Sequence, residues 1–592
     1  MIPSRLEALR QEMKKRGIAM YIVPTSDFHE SEYVGNYFKA RKYMTGFTGS
    51  AGTAIITLTE AGLWTDGRYF IQAAEQLKDT TVTLYKMGEE GVPTMDAYIE
   101  ATLKEGETLG FDGRVVAQSW GKRLEEMVAK KQGKLAVEED LVGLIWEDRP
   151  EISKEPIRVL PYEFTGKEVA DKFADVREVM AKKGADVHLL SSLYDIAWLL
   201  NVRGNDIRYV PVVLSYLALT QDTCIWFVQE EVVTEEVAAY LAANGIETKP
   251  YNDFYAYVAS LPEGTKVLMD SRVVNYRIAS SVPEGVEVIS DTNPTVFMKS
   301  RKNAVELKNT RNAHIKDAVA MCKFMYWLKK NVGKIPMTEI SASDYLESLR
   351  RQQEGCIDLS FDTICGYAEH GAIVHYSATP ESDKEILAEG LLLVDSGGQY
   401  LEGTTDITRT FALGPVTQEM KEDFTRVCRA TLNLANARFV YGCTGSNLDV
   451  LARGPLWEAG KDYNHGTGHG VGHILNVHEG PNGFHWGRSY TTPFEEGHIT
   501  SDEPGIYLEG QYGIRLENEL VCCKGEKNAF GQFMYFENLT LVPMDLDAIE
   551  PSQMSDREKA YLNDYHKKVY EVIAPLLTEE EASWLAEYTR AI

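Results

Sequence analysis

LLLVDSGGQYLEGTTDITRTFAL, residues 391–413, has the pattern of two β-strands joined by a glycine-rich turn. Asp395 closes the first apolar run and Asp406 falls inside the second. Aspartate is depleted in strands and costly to bury without a partner. Two aspartates on adjacent strands repel each other unless a cation lies between them. The ordinary alternative, an aspartate capping a hairpin turn, is natural for Asp395 and less so for Asp406.

Eight of the 12 histidines fall between His370 and His498, far more than an even spread would give. Four of them lie within HGTGHGVGHILNVHEGP, residues 465–481. This is not a dinucleotide fingerprint, because Val471 stands where the third glycine is required. Glycines at 466, 468, 470 and 472 let backbone approach closely while His465, His469 and His473 project outward. With His478 close behind, a ligand or substrate site explains the cluster better than structural histidines do. Further on, ITSDEPGIYLEGQYGIRLENELVCC (499–523) separates Ile514, Leu516 and Leu520 from Arg515, Glu517 and Glu519 by strand alternation. Alone, those three charges read as a solvated face, and Glu503 before Pro504-Gly505 as a turn residue. Taken together, Asp395, Asp406, His469, Glu503 and Glu517 can hold two divalent cations. An oxygen-rich set without sulfur favours Mn²⁺ over structural zinc, although affinity order still admits Co²⁺ or Zn²⁺.

The rest of the chain frames this region. Its 592 residues suffice for three or four domains, and 44% hydrophobic with 25% charged residues is ordinary globular usage. Lys and Arg number 61 against 88 Asp and Glu, a net charge of −27 that repels nucleic acid and anionic membrane. No apolar run approaches the ~18 residues of a membrane helix. The N-terminus has no signal-peptide pattern, so a soluble, cytoplasmic protein is expected. The eight cysteines include no Cys-x-x-Cys pair and read as reduced thiols.

The first ~300 residues carry a faint repeat. Leu6, Leu9 and Met13 mark a helix stopped by Gly17, and Val169, Phe173, Val176 and Met180 mark another stopped by Gly184. A strand-like run ending in Asp27 or Asp195 follows each. Between the copies, residues 147–166 hold Pro150, Pro156 and Pro161, a linker composition. A second boundary falls near Asp291–Pro294, before a long amphipathic helix over 302–330. The last ~40 residues read as helical, with a stripe Tyr561, Tyr565, Val569, Val572 and a capping-box pattern from Thr578 to Glu581.

The strings DSGGQYLEGTTDITRT, HGTGHGVGHILNVHEGP, SDEPGIY and YGIRLENE resemble the pita-bread metallopeptidases, specifically the X-prolyl aminopeptidase (aminopeptidase P) family. GFTGSAGTAIITLTEAGLWTDGRYFIQAAEQL (46–77) and IAWLLNVRGNDIRYVPVVLSYLAL (196–219) resemble the first and second domains of its long, three-domain cytosolic form. The resemblance implies an α/β (α+β) chain: two similar creatinase-N-like domains, 1–147 and 163–298, then a pita-bread catalytic domain over 299–592 with a C-terminal helical extension. It implies that Asp395, Asp406, His469, Glu503 and Glu517 ligate two metal ions, most simply Mn²⁺. His375, His465 and His478 match ancillary active-site histidines, and Tyr507 and Arg515 match positions near the proline-binding side. Arg68 matches an arginine by which the first domain reaches the active site. His473 matches no motif position. The implied activity is metal-activated hydroxide attack on the Xaa-Pro bond, Glu503 accepting the proton, in a homodimer acting on peptides with N-terminal Xaa-Pro. X-Pro dipeptidase and a non-catalytic binding module of the same fold are the alternatives.

Overall fold

The structure is a computed structural model describing residues 1–487 and 490–592. The chain divides into two compact units, Met1–Tyr162 with Lys167–Val296, and Glu163–Gly166 with Phe297–Ile592.

The first unit contains the repeat in full. Helices Ile2–Arg16 and Val169–Lys183 both end on a left-handed glycine, Gly17 at φ 66° and Gly184 at φ 68°. They bury the apolar faces read from sequence: Leu6, Leu9 and Met13 in one, Val169, Phe173, Val176 and Met180 in the other. Two six-stranded sheets follow with the same strand order. In each, the strand after the helix is central: Ile18–Pro24 lies between antiparallel Thr53–Thr57 and parallel Thr108–Phe111. Val187–Leu190 likewise lies between antiparallel Ser215–Thr220 and parallel Lys266–Met269. One expectation is corrected here. Both strands stop short of their aspartates: the first ends at Pro24, before Asp27, and the second at Leu190, where Ser192 caps a helix Leu193–Leu199 that holds Asp195 in its first turn.

A sharper mark of the repeat is Asp-x-Arg-Val-Val, at Asp112–Val116 and Asp270–Val274. Each arginine folds back on its aspartate, Arg114 Nη2 to Asp112 Oδ2 at 2.9 Å and Arg272 Nη2 to Asp270 Oδ2 at 2.7 Å. The two loops then pair across a local pseudo-dyad. Gln118 N–H donates to Val274 O at 2.9 Å and Tyr276 N–H to Val116 O at 2.8 Å. Asn275 Nδ2 adds a bond to Phe28 O at 2.8 Å. These pairings satisfy buried backbone groups only when both halves are present, which makes one compact unit of them.

In the second unit Asn303 and Glu306 form a capping box that starts the 28-residue helix Ala304–Asn331. That helix and Gln418–Ala435 cover strands Ile364–Tyr367, Leu391–Ser396 and Ile407–Ala412 and a six-stranded sheet beginning at Arg438–Val440. The strands Leu391–Ser396 and Ile407–Ala412 do pair, with Asp395 opposite Thr408. They are not joined by a simple turn, because Gly398–Tyr400 and Gly403–Thr404 make an excursion into another sheet. Asp406 therefore lies just before its strand instead of inside it. The C-terminal helices are Asp556–Ile573 and Glu579–Tyr588, and the Thr578–Glu581 capping box is present. The buried face of the first runs through Leu562, Tyr565, Val569 and Ile573, so Tyr561 and Val572 stand at its margin.

Candidate metal centre

Three strand systems bring the carboxylates together. Leu391–Ser396 supplies Asp395, and the residue before Ile407–Ala412 is Asp406. Glu517 falls in the break between Tyr512–Arg515 and Asn518–Asn528, its N–H donating to Thr408 O at 3.0 Å. Glu503 follows strand Ile499–Asp502 and is tied by its N–H to Thr467 O at 2.8 Å. His469 lies in the short strand Gly468–Gly470. The glycines on either side are obligatory there: a Cβ at Gly468 would stand 1.8 Å from Ser501 O, and one at Gly470 2.1 Å from Glu479 O. This is the close backbone approach that the alternating glycines predict.

His469 Nδ1 lies 2.9 Å from Gly470 O. A carbonyl only accepts, so Nδ1 carries a hydrogen and Nε2 is the ring nitrogen that faces the carboxylates. From Nε2 it is 3.5 Å to Asp406 Oδ2 and 3.5 Å to Glu503 Oε1. Atoms of Asp406, His469 and Glu517 lie within 4.8 Å of one another, the spacing of a shared cation. Asp395 Oδ1 and Glu517 Oε1 are buried and find no hydrogen-bond donor among the described residues. Burial pushes the carboxyls of Asp395, Glu503 and Glu517 upward, and the mutual repulsion of the acids, Asp406 included, adds to it. Burial pulls the His469 imidazole down, but Asp406 and Glu503 outweigh it and hold it up at about 9. Crowded acids, orphaned carboxylate oxygens and a ring nitrogen turned toward them are a donor set that fits divalent cations. The donor set fits two such ions.

The ancillary residues form a connected line. His465 Nδ1 donates to Gly466 O at 2.7 Å, leaving Nε2 to accept from the Tyr507 hydroxyl at 2.8 Å. Tyr507 oxygen in turn accepts from Arg515 Nη1 at 2.8 Å, and Arg515 Nη2 donates to Asp395 Oδ2 at 2.6 Å. Arg515 also reaches Thr408 Oγ1 and Val374 O and is 1% exposed, so it clamps the site internally. His478 stands edge-on against the His469 ring, centroids 4.2 Å apart. His375 occupies the loop between Val374 and Tyr376. His473 is held between Thr310 Oγ1 at 3.3 Å and Phe164 O at 2.9 Å, a structural post with no place among the carboxylates. Arg68 belongs to the first unit, where it grips Asp66 through Nε and Nη2, both at 2.8 Å, in the same Asp-x-Arg turn as Arg114 and Arg272.

Strand alternation alone misjudged one face. Arg515, Glu517 and Glu519 are all buried, because Thr408, Asp406 and Arg409 cover them. Glu519 is a residue the sequence reading left without a role. Its Oε1 accepts the Asp406 N–H at 2.7 Å, and its Oε2 faces His314 Nε2 at 3.2 Å. The paired acids in Glu-Asn-Glu are the signal that could have found it.

Residues 308–524, which contain all five candidate ligands, match the model of metallopeptidase family M24, and 532–592 match the C-terminal region of that family. Residues 5–142 and 148–306 match creatinase/prolidase N-terminal domains. A probable Xaa-Pro aminopeptidase P of Botryotinia fuckeliana is 39% identical over 98% of this chain and 91% of its own length. The chain belongs to the aminopeptidase P group of family M24. Aminopeptidase P2 of Arabidopsis thaliana is 37% identical over all of this chain and 89% of that protein. The X-prolyl aminopeptidase of Caenorhabditis elegans superposes with a TM-score of 0.95, at 32% identity and full coverage of both chains. That nematode protein is described as a cytosolic enzyme with a di-nuclear active site. The chain thus carries two creatinase-N domains followed by an M24 pita-bread domain.

Proposed function

We propose that this chain is a metal-dependent aminopeptidase that releases the first residue from peptides carrying proline second. The observation that carries the reading is the convergence of Asp406, His469 and Glu517, with Glu503 beside His469 and with buried oxygens of Asp395 and Glu517 left without donors among the described residues. Two divalent ions held by these five residues, Mn²⁺ by the chemistry of the set, would acidify a water and polarise the scissile carbonyl. Glu503 takes the proton of the attacking water and passes it to the leaving proline nitrogen. His375 and His478 donate to the carbonyl oxygen as negative charge builds there. The line His465–Tyr507–Arg515 shapes the proline side. Proline offers a rigid ring and no amide N–H, so a shaped apolar pocket can select it.

The test is product analysis of Mn²⁺-loaded protein on Arg-Pro-Pro, Arg-Ala-Ala and Arg-Pro. Arginine is released from Arg-Pro-Pro while Arg-Ala-Ala stays intact. Cleavage of Arg-Pro alone would instead make the chain a dipeptidase, and no cleavage with metal bound a binding module.

We place the protein in the cytoplasm, as its nematode relative is described. Among the described residues no helix is long and apolar enough to cross a membrane. All eight cysteines are free thiols, as a reducing compartment would keep them. We also propose a homodimer formed through the second unit. Its short edge strand Arg438–Val440 and neighbouring Gly531–Asn538 expose Val440 and Tyr535, and the flanking Tyr441 and Phe530 are exposed beside them, Phe530 to 84%. Light scattering should give twice the mass of one chain.

A further inference from the structure

Glu339 opens the helix Glu339–Arg351 and is fully buried, yet nothing in the metal centre touches it. Its carboxylate gathers four donors from one neighbourhood. Tyr367 N–H donates to Oε1 at 2.7 Å, and the Tyr376 hydroxyl to Oε2 at 2.7 Å. Lys384 N–H reaches Oε2 at 3.2 Å. His370 Nδ1 lies 2.9 Å and 3.0 Å from the two oxygens, which only accept, so Nδ1 carries the hydrogen. The His370 ring then packs on Tyr376, centroids 4.5 Å apart.

These donors bracket the loop that carries His375. Tyr367 precedes it, His370 lies in its first turn and Tyr376 ends it. The far side of the loop is held just as firmly. A Cβ at Gly513 would lie 1.7 Å from Gly371 O, so the two backbones are in direct contact there. Arg515 Nη2 donates to Val374 O at 3.3 Å. His375 thus stands between one residue held by Arg515 and another held by Glu339.

We propose that Glu339 is a positioning residue of the reaction, acting through His375. This rests on the reading above, in which His375 meets the substrate carbonyl. A hydrogen-bond donor aimed at developing charge works only when its own placement is fixed, and supports of this kind change rates by about 10- to 100-fold when removed.

The test is a double-mutant cycle on the Mn²⁺-loaded enzyme, read as kcat and KM on Arg-Pro-Pro. Glu339→Gln keeps the size but turns an NH₂ toward donors, so kcat should fall about 10- to 100-fold with KM within about threefold. In the His375→Ala background the same change should cost less than about threefold more, because the residue it positions is gone. Wild-type kcat for Glu339→Gln, or losses that multiply in the double variant, would overturn the proposal. Tyr376→Phe removes one donor and leaves Glu339 in place. It should lower kcat several-fold with KM unchanged, which keeps the test open if Glu339→Gln does not fold. An unaltered kcat in that variant would count against the proposal. An inactive wild type, or His375→Ala at full rate, would strike the underlying reading and so be distinguishable.

Discussion

Glu503→Gln lowers kcat on Xaa-Pro peptides by about 10³-fold, the range a lost general acid–base group commands, while the metal-free variant melts no lower than the wild type. The two effects have one cause. Burial drives the Glu503 carboxyl upward, the charges of His469 and Arg515 relieve it, and those of Asp406 and Asp395 press it up again. Without metal, Glu503 is a half-buried acid among acids, and a neutral amide of the same shape removes repulsion instead of contact. With metal and substrate present the amide can neither accept the water's proton nor hand it to the proline nitrogen. A fall in kcat below about tenfold would remove Glu503 from the chemistry. A large loss of Tm in the metal-free variant would show that its carboxylate carries structure instead.

Stripping the metal abolishes turnover and opens a gap in Tm that widens as the pH rises. The sign follows from the shifted groups. Asp395, Glu503 and Glu517 hold their protons more tightly in the fold than an unfolded chain would, chiefly through burial. Raising the pH above the ordinary carboxylate range therefore costs the metal-free fold stability. His469 is held up at about 9, so the stability its positive form contributes is complete below its unfolded value and lost as pH passes through about 9. Both run the same way. Bound cations take the place of those protons, and at about a thousandfold excess over Kd each site adds about 4 kcal/mol. The difference in Tm between loaded and stripped protein should thus grow from about pH 6 to about pH 9. Because other titrating groups are common to both forms, the difference isolates the centre. A constant or shrinking gap would mean that these acids do not meet the metal.

Much of this was legible before any coordinate. Gly17 and Gly184 stop helices because only glycine enters the left-handed region cheaply, and their apolar faces follow from the period. Asp406 and the histidine cluster around His469 stood out from their residue types, whereas Asp395, Glu503 and Glu517 each had an ordinary reading alone and joined them only as a set and through the family resemblance. What escaped was environment. Alternation tells which side chains share a face, not whether that face meets water, so Arg515, Glu517 and Glu519 read as solvated although all are buried. Asp406 slipped outside its strand because the excursion at Gly398–Gly403 has no periodic signature. Glu339 is invisible in sequence for a like reason: its partners lie 28 to 45 residues away and form no motif.

The most direct measurement is a titration of stripped protein with Mn²⁺, counting bound metal per chain by elemental analysis while following arginine release from Arg-Pro-Pro. The proposed five-ligand, two-ion centre predicts that release is absent at the start and levels off as the count reaches two. Full release from stripped protein, or a plateau with no more metal bound than at the start, would contradict the account.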